Sequence, residues 1–146
     1  MEPINQFTGT ALDPLNHSPT QELLHRLDNI MPTLDLTWFH HFLSTLYDHD
    51  TAKYMQEAAS GVHLTTTMSV AFEFVRRGLS TKTYFAPRKL GQVGLMPLPQ
   101  WESAIRQLDP TNTALDALNQ FLGSSPEGKL LNPFMLAIDN VHPSSS

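Results

Sequence analysis

Residues 68–85 read MSVAFEFVRRGLSTKTYF, and this stretch decides the fold class. Apolar and polar residues alternate on both sides of Arg77-Gly78, which is the period of a β-strand with two unlike faces. The glycine favours a tight turn because it tolerates positive φ. We therefore predict an antiparallel hairpin of residues 68–75 and 79–86. Its apolar face is predicted to carry Phe72, Phe74, Thr83 and Phe85, and its polar face Ser80, Lys82 and Tyr84.

The polar face of this hairpin has two interpretations. A turn at Arg77-Gly78 would put Glu73 directly opposite Lys82. The first interpretation is therefore a cross-strand ion pair on a solvated face. The second is a cavity wall in which Lys82 binds an anion such as phosphate, while Tyr84 adds a hydroxyl donor and an aromatic surface. Periodicity alone leaves both open.

Helical periodicity surrounds the hairpin on both sides. Helices are predicted from Ser18, as N-cap, to before Pro32, and over residues 35–47 and 51–59. Two more are predicted over residues 100–108 and 112–122, the last closed by Gly123. A further strand is predicted over residues 133–141, with no partner strand after it. Helix pairs alternating with antiparallel strands indicate an α+β fold with an incomplete sheet.

Composition excludes several classes of function. The chain has 146 residues, a net charge of −5 and no cysteine, so it is predicted to form one domain without disulfides or thiolate metal sites. Its acidity and lack of basic runs argue against binding to nucleic acid or to a membrane surface. The seven histidines have no metal-ligand spacing, and adjacent helical residues such as His40 and His41 point about 100° apart. A cytoplasmic protein is expected.

Four motifs follow one another along the chain. They are EPINQFTGT with DPLN (residues 2–10 and 13–16), LDLTWFHHF (34–42), TKTYFAP (81–87) and PFMLAID with HPS (133–139 and 142–144). They resemble motifs of fungal indole prenyltransferases of the dimethylallyl tryptophan synthase type. The first is similar to that family's E-P-I-N-x-x-T-G-T…D-P-F-N stretch, the second to its I-D-L-x-W-F-x-H-F helix and the third to its L-K-x-Y-x-x-P strand. The fourth resembles the segment that precedes the family's S-R-x-K-x-Y strand.

This resemblance implies a fold and an activity. The fold would be part of an antiparallel β-barrel built from αββα repeats and ringed by helices. The activity would be transfer of a dimethylallyl group from dimethylallyl diphosphate to an indole or related aromatic acceptor in fungal alkaloid metabolism. By matching position, Glu2 would accept a hydrogen bond from the acceptor, Lys82 would bind the diphosphate and Tyr84 would shield the allylic cation. The resemblance implies no metal ion or other cofactor.

The chain also departs from the family pattern. Family members are much longer, and the S-R-x-K-x-Y strand does not follow residue 144. Residues 1–146 are therefore expected to be a single partial domain, truncated at both ends and inactive alone, so the sequence does not decide whether the chain is itself an enzyme. One alternative is a non-catalytic interaction protein that pairs with a full-length relative, or with itself, through open strand edges. Another is an unrelated small α+β ligand-binding protein.

Overall fold

A computed structural model describes residues 9–76, 78–91 and 97–141. Three helices come first: α1 (Ser18–Asp28), α2 (Thr37–Thr45) and α3 (Thr51–Ala59). The strands β1 (Met68–Val75) and β2 (Gly78–Phe85) follow, then α4 (Leu98–Leu108), α5 (Thr113–Ser124), a 3₁₀ turn (Gly128–Leu130) and β3 (Leu136–Asp139). The strands form one antiparallel sheet in the order β1-β2-β3. β2 is therefore the middle strand.

The helix boundaries at Ser18 and Gly123 differ from the sequence prediction. Ser18 is the first residue of α1 rather than its cap. The carboxylate of Asp13 accepts hydrogen bonds from the backbone N–H groups of His17 and Ser18, both at 2.8 Å, and so satisfies the free donors there. Helix α5 continues through Gly123 and ends at Ser124, because Ser125 is extended before Pro126.

The hydrophobic core lies between the helices and one face of the sheet. Phe85 in the middle strand is fully buried, and its ring centroid lies 6.0 Å from that of Phe39 and 5.7 Å from that of Phe42. Trp38 packs against this cluster, 5.6 Å from Phe42. The side of α2 that carries Phe39 and Phe42 thus covers this face of the sheet.

A buried polar residue fixes the position of β3. Asn140, only 1% exposed, donates its side-chain N–H to Thr83 Oγ1 at 2.7 Å and its backbone N–H to the Thr81 carbonyl at 2.9 Å. Its own carbonyl accepts a hydrogen bond from the backbone N–H of Asp35, just before α2. A one-residue slip of β3 would break these buried bonds, so they hold its register against β2.

The helices are short. The longest of those described, α5, has 12 residues, whereas a membrane-spanning helix needs about 20. Within residues 9–76, 78–91 and 97–141, no helix is long and apolar enough to cross a bilayer.

Candidate active site

The sheet has the two faces that the sequence predicts. Phe72, Phe74, Thr83 and Phe85 share the face that carries the core residues, and Lys82 and Tyr84 lie on the other. Toward the hairpin tip, however, the first face extends beyond the core, and the Phe74 side chain is 89% exposed. The opposite face carries Ser69, Ala71, Glu73, Ser80, Lys82 and Tyr84 from the hairpin, and Ala137 and Asp139 from β3; we call it the polar face.

The predicted partner of Lys82 is wrong. Ala71, not Glu73, lies opposite Lys82, and Glu73 lies opposite Ser80. The reason is the position of the turn. Gly78, with a φ of 134°, already pairs with Val75 as the first residue of β2, so the connection is one residue earlier than predicted. This moves every cross-strand partner by two positions and leaves every face unchanged.

The carboxylate beside Lys82 comes from β3. Asp139 is directly opposite Lys82 in the register, and its Oδ1 lies 3.4 Å from Lys82 Nζ. Both side chains remain partly in solvent, 41% exposed for Lys82 and 57% for Asp139. Sequence analysis gave Asp139 no role, because nothing local shows that β3 pairs with β2.

Tyr84 lies between two small residues. Its cross-strand neighbours are Ser69 on β1 and Ala137 on β3, so neither neighbouring strand places a bulky side chain beside the ring. Lys82 is two residues away on the same strand and face, roughly 7 Å along it. An ammonium that can donate to phosphate oxygens thus lies next to an aromatic ring whose face can stabilise a cation.

Contacts with α3 fix the segment that leaves β2. Glu57 forms an ion pair with Arg88 and accepts a hydrogen bond from the Gly91 backbone N–H. The Gly91 hydrogen bond, with Arg88 adding to it, lowers the pKa of the Glu57 carboxyl. The Tyr54 hydroxyl donates to the Arg88 carbonyl. Sequence analysis missed this network, since its partners are more than 30 residues apart, as in the separation of 31 between Glu57 and Arg88.

A separate cavity of about 230 Å³ lies beside α1 and contains neither Lys82 nor Tyr84. Among the residues lining it are Asp13, His17 and Tyr47. His17 Nε2 is 2.8 Å from Thr67 Oγ1, and its ring meets that of Tyr47 edge-on at 4.4 Å. Burial lowers the pKa of the His17 imidazole to about 4, which the nearby Asp13 carboxylate offsets only in part.

His17 is therefore expected to make stability depend on pH. Its pKa in the folded chain, about 4, is below the ordinary value of 6.5, so protons bind the unfolded state more readily. The contribution of His17 to the free energy of unfolding is fully present above pH 6.5. It is lost as the pH falls through 4, and the loss reaches about 3 kcal/mol. Urea unfolding across this window should show a flatter profile for His17→Gln. The exposed His63, changed to Gln, is the control, and equal profiles for all three proteins would contradict this expectation.

The adjacent histidines of α2 make ordinary structural contacts. His41 Nε2 is 2.7 Å from the carbonyl oxygen of Ala104, and His40 stacks near His25 at 5.2 Å between ring centroids. In the part of the chain that the structure describes, no three histidine or carboxylate side chains come together as a metal site would require. Glu2 lies outside the described residues.

The comparisons with known proteins agree with the four motifs. The model of the tryptophan dimethylallyltransferase family matches residues 1–146. Prenyltransferase anuH of Penicillium roqueforti is 56% identical over 99% of this chain and 32% of its own length. Xanthone prenyltransferase A of Emericella nidulans is 57% identical over 148 aligned residues, which cover 100% of this chain and 33% of that protein.

A solved structure gives the same result for the fold. The crystal structure of AnaPT from Neosartorya fischeri matches with a TM-score of 0.72 and 28% identity, over 97% of this chain and 37% of that one. This confirms the predicted fold class, an α+β arrangement with an open antiparallel sheet that corresponds to part of a larger domain. The chain spans about a third of the length of the curated relatives it matches. It belongs to the tryptophan dimethylallyltransferase family.

Proposed function

We propose that this chain forms part of an aromatic prenyltransferase. The complete site would transfer a dimethylallyl group from dimethylallyl diphosphate to an indole or related aromatic acceptor. In it, Lys82 binds the diphosphate, Tyr84 shields the allylic cation and Glu2 accepts a hydrogen bond from the acceptor. The observation that supports this most is the position of Lys82 and Tyr84, adjacent on the polar face of the middle strand.

The chemistry explains why these residue types are needed. Breaking the bond between the allylic carbon and the diphosphate oxygen leaves a cation and a strongly negative leaving group. A preorganised ammonium stabilises the leaving group, and an aromatic ring protects the cation from water until the electron-rich acceptor attacks it. A single lysine and a single tyrosine on an open sheet do not exclude water. The residues of this chain are therefore proposed to act only together with the remaining two thirds of a family domain.

A hybrid enzyme tests this proposal. Residues 1–146 would replace the matching 33% of xanthone prenyltransferase A, with which they share 57% identity. With dimethylallyl diphosphate and a panel of xanthones, indoles and phenols, we expect the hybrid to form a prenylated product that mass spectrometry detects. The chain alone is expected to form none. A folded hybrid without product, or product from the chain alone at an enzyme-like rate, would contradict the proposal.

The open sheet supports a second candidate role, self-association. β1 pairs with β2 on one side, and within the described residues no strand covers its other edge. At the hairpin tip, Phe72 and Phe74 expose 42% and 89% of their surface. Such an edge can add a strand from a second copy. Size-exclusion chromatography at increasing concentration tests this, and an unchanging monomer peak would exclude it.

A further inference from the structure

Asp139 lies at a fixed position beside Lys82, and the proposed function gives it no role. The two residues are direct partners across β2 and β3, with 3.4 Å between Lys82 Nζ and Asp139 Oδ1. The next residue, Asn140, is hydrogen-bonded to Thr81 and Thr83 in the core, so β3 cannot slide to move the carboxylate away. The ammonium is therefore held beside a negative charge in the middle of the polar face.

This arrangement has consequences for an arriving anion. Both side chains are partly exposed, and ion pairs in solvent are weak, so a multiply charged diphosphate can displace the carboxylate from the ammonium. The carboxylate stays nearby because its backbone is fixed, and it repels the bound anion. It thus lowers the affinity of Lys82 for a diphosphate without preventing binding.

We propose that Asp139 is a positioning residue for Lys82. It holds the ammonium in place on the empty face, gives way to diphosphate oxygens when the prenyl diphosphate binds, and favours release of the pyrophosphate product. This inference rests on the proposed function, in which Lys82 binds the diphosphate. No covalent step involves Asp139.

The test is a titration of the hybrid enzyme, in which residues 1–146 replace the matching part of xanthone prenyltransferase A, with inorganic pyrophosphate at low ionic strength. Isothermal titration calorimetry measures the affinity. Asp139→Asn keeps the shape of the side chain and removes its charge, and we expect about 3- to 5-fold tighter binding. Glu73→Gln is the matched control, because Glu73 lies on the same face opposite Ser80 and carries the same charge. Its effect should stay below about twofold. Asp139→Ser, a second uncharged variant, should bind as tightly as Asp139→Asn.

The remaining variants separate the two proposals. Lys82→Ala should weaken pyrophosphate binding, and the gain from Asp139→Asn should vanish when it is combined with Lys82→Ala. If Lys82→Ala weakens binding but neither Asp139 variant tightens it, the role of Asp139 is overturned while the proposed function stands. If Lys82→Ala binds as well as the unchanged hybrid, or the unchanged hybrid does not bind pyrophosphate, both fall. A purely structural role for Asp139 would not produce tighter binding.

Discussion

Replacing Phe85 by alanine is expected to lower the free energy of unfolding by about 3–5 kcal/mol. The Phe85 side chain is fully buried at the end of the middle strand, and it contacts the rings of Phe39 and Phe42 on α2. Truncation would remove this apolar surface from the core and leave a cavity that the strand backbone cannot close. Since the total free energy of unfolding of a small domain is only about 5–15 kcal/mol, the variant should unfold at much lower urea concentration. Circular dichroism against urea measures this.

Phe74→Ala is the matched control for Phe85→Ala. The same residue type is removed from the same face of the same hairpin, but Phe74 is 89% exposed. Its loss should change the free energy of unfolding by less than about 1 kcal/mol. Equal destabilisation by the two substitutions would mean that the helices do not cover the sheet as described.

Lys82→Ala in the hybrid enzyme is expected to lower kcat/KM by about 10²- to 10³-fold. This is the usual cost of removing one preorganised donor from a group that gains negative charge in the transition state. Lys82→Met should lose as much, because it keeps the length and apolar stem of the side chain and removes only the ammonium. Steady-state rates with dimethylallyl diphosphate and the acceptor that gives product measure the effect.

Lys53→Ala is the control for lost positive charge. Lys53 is on α3, 64% exposed, and its only described ion pair is an exposed one with Asp50 at 3.6 Å. We expect the hybrid with this substitution to keep its rate within about twofold. A Lys82→Ala hybrid that is as active as the Lys53→Ala hybrid would remove Lys82 from the proposed site.

The hairpin shows what alternation in a sequence can and cannot predict. The faces of Lys82 and Phe85 follow from the period of two, and they survive any shift of the turn that moves partners by an even number. The partner itself depends on whether the connection starts at Arg76 or Arg77, a difference of one residue. The faces were therefore predicted correctly, and the pairing of Glu73 with Lys82 was not.

The carboxylate beside Lys82 could not be predicted from the local sequence, for a different reason. Asp139 meets Lys82 only because β3 docks on β2 after two intervening helices, and Asn140 fixes that docking through buried contacts with Thr81 and Thr83. The same holds for Glu57 and Arg88. The resemblance to the family goes further than periodicity, because it predicts site residues without requiring their contacts to be known.

The docking of β3 also has a consequence for the order in which the sheet forms during folding. A hairpin such as β1-β2 closes within microseconds, because its strands are neighbours in the chain. Asn140 and Thr83 are 57 residues apart, so β3 joins only after a long loop has closed. Until then the second edge of β2 has no partner, and the newly made chain exposes the strand that carries Lys82 to any other unpaired strand. The chain is therefore most prone to aggregation before β3 has paired with β2. A chaperone that covers β2 during this time would raise the yield of folded protein.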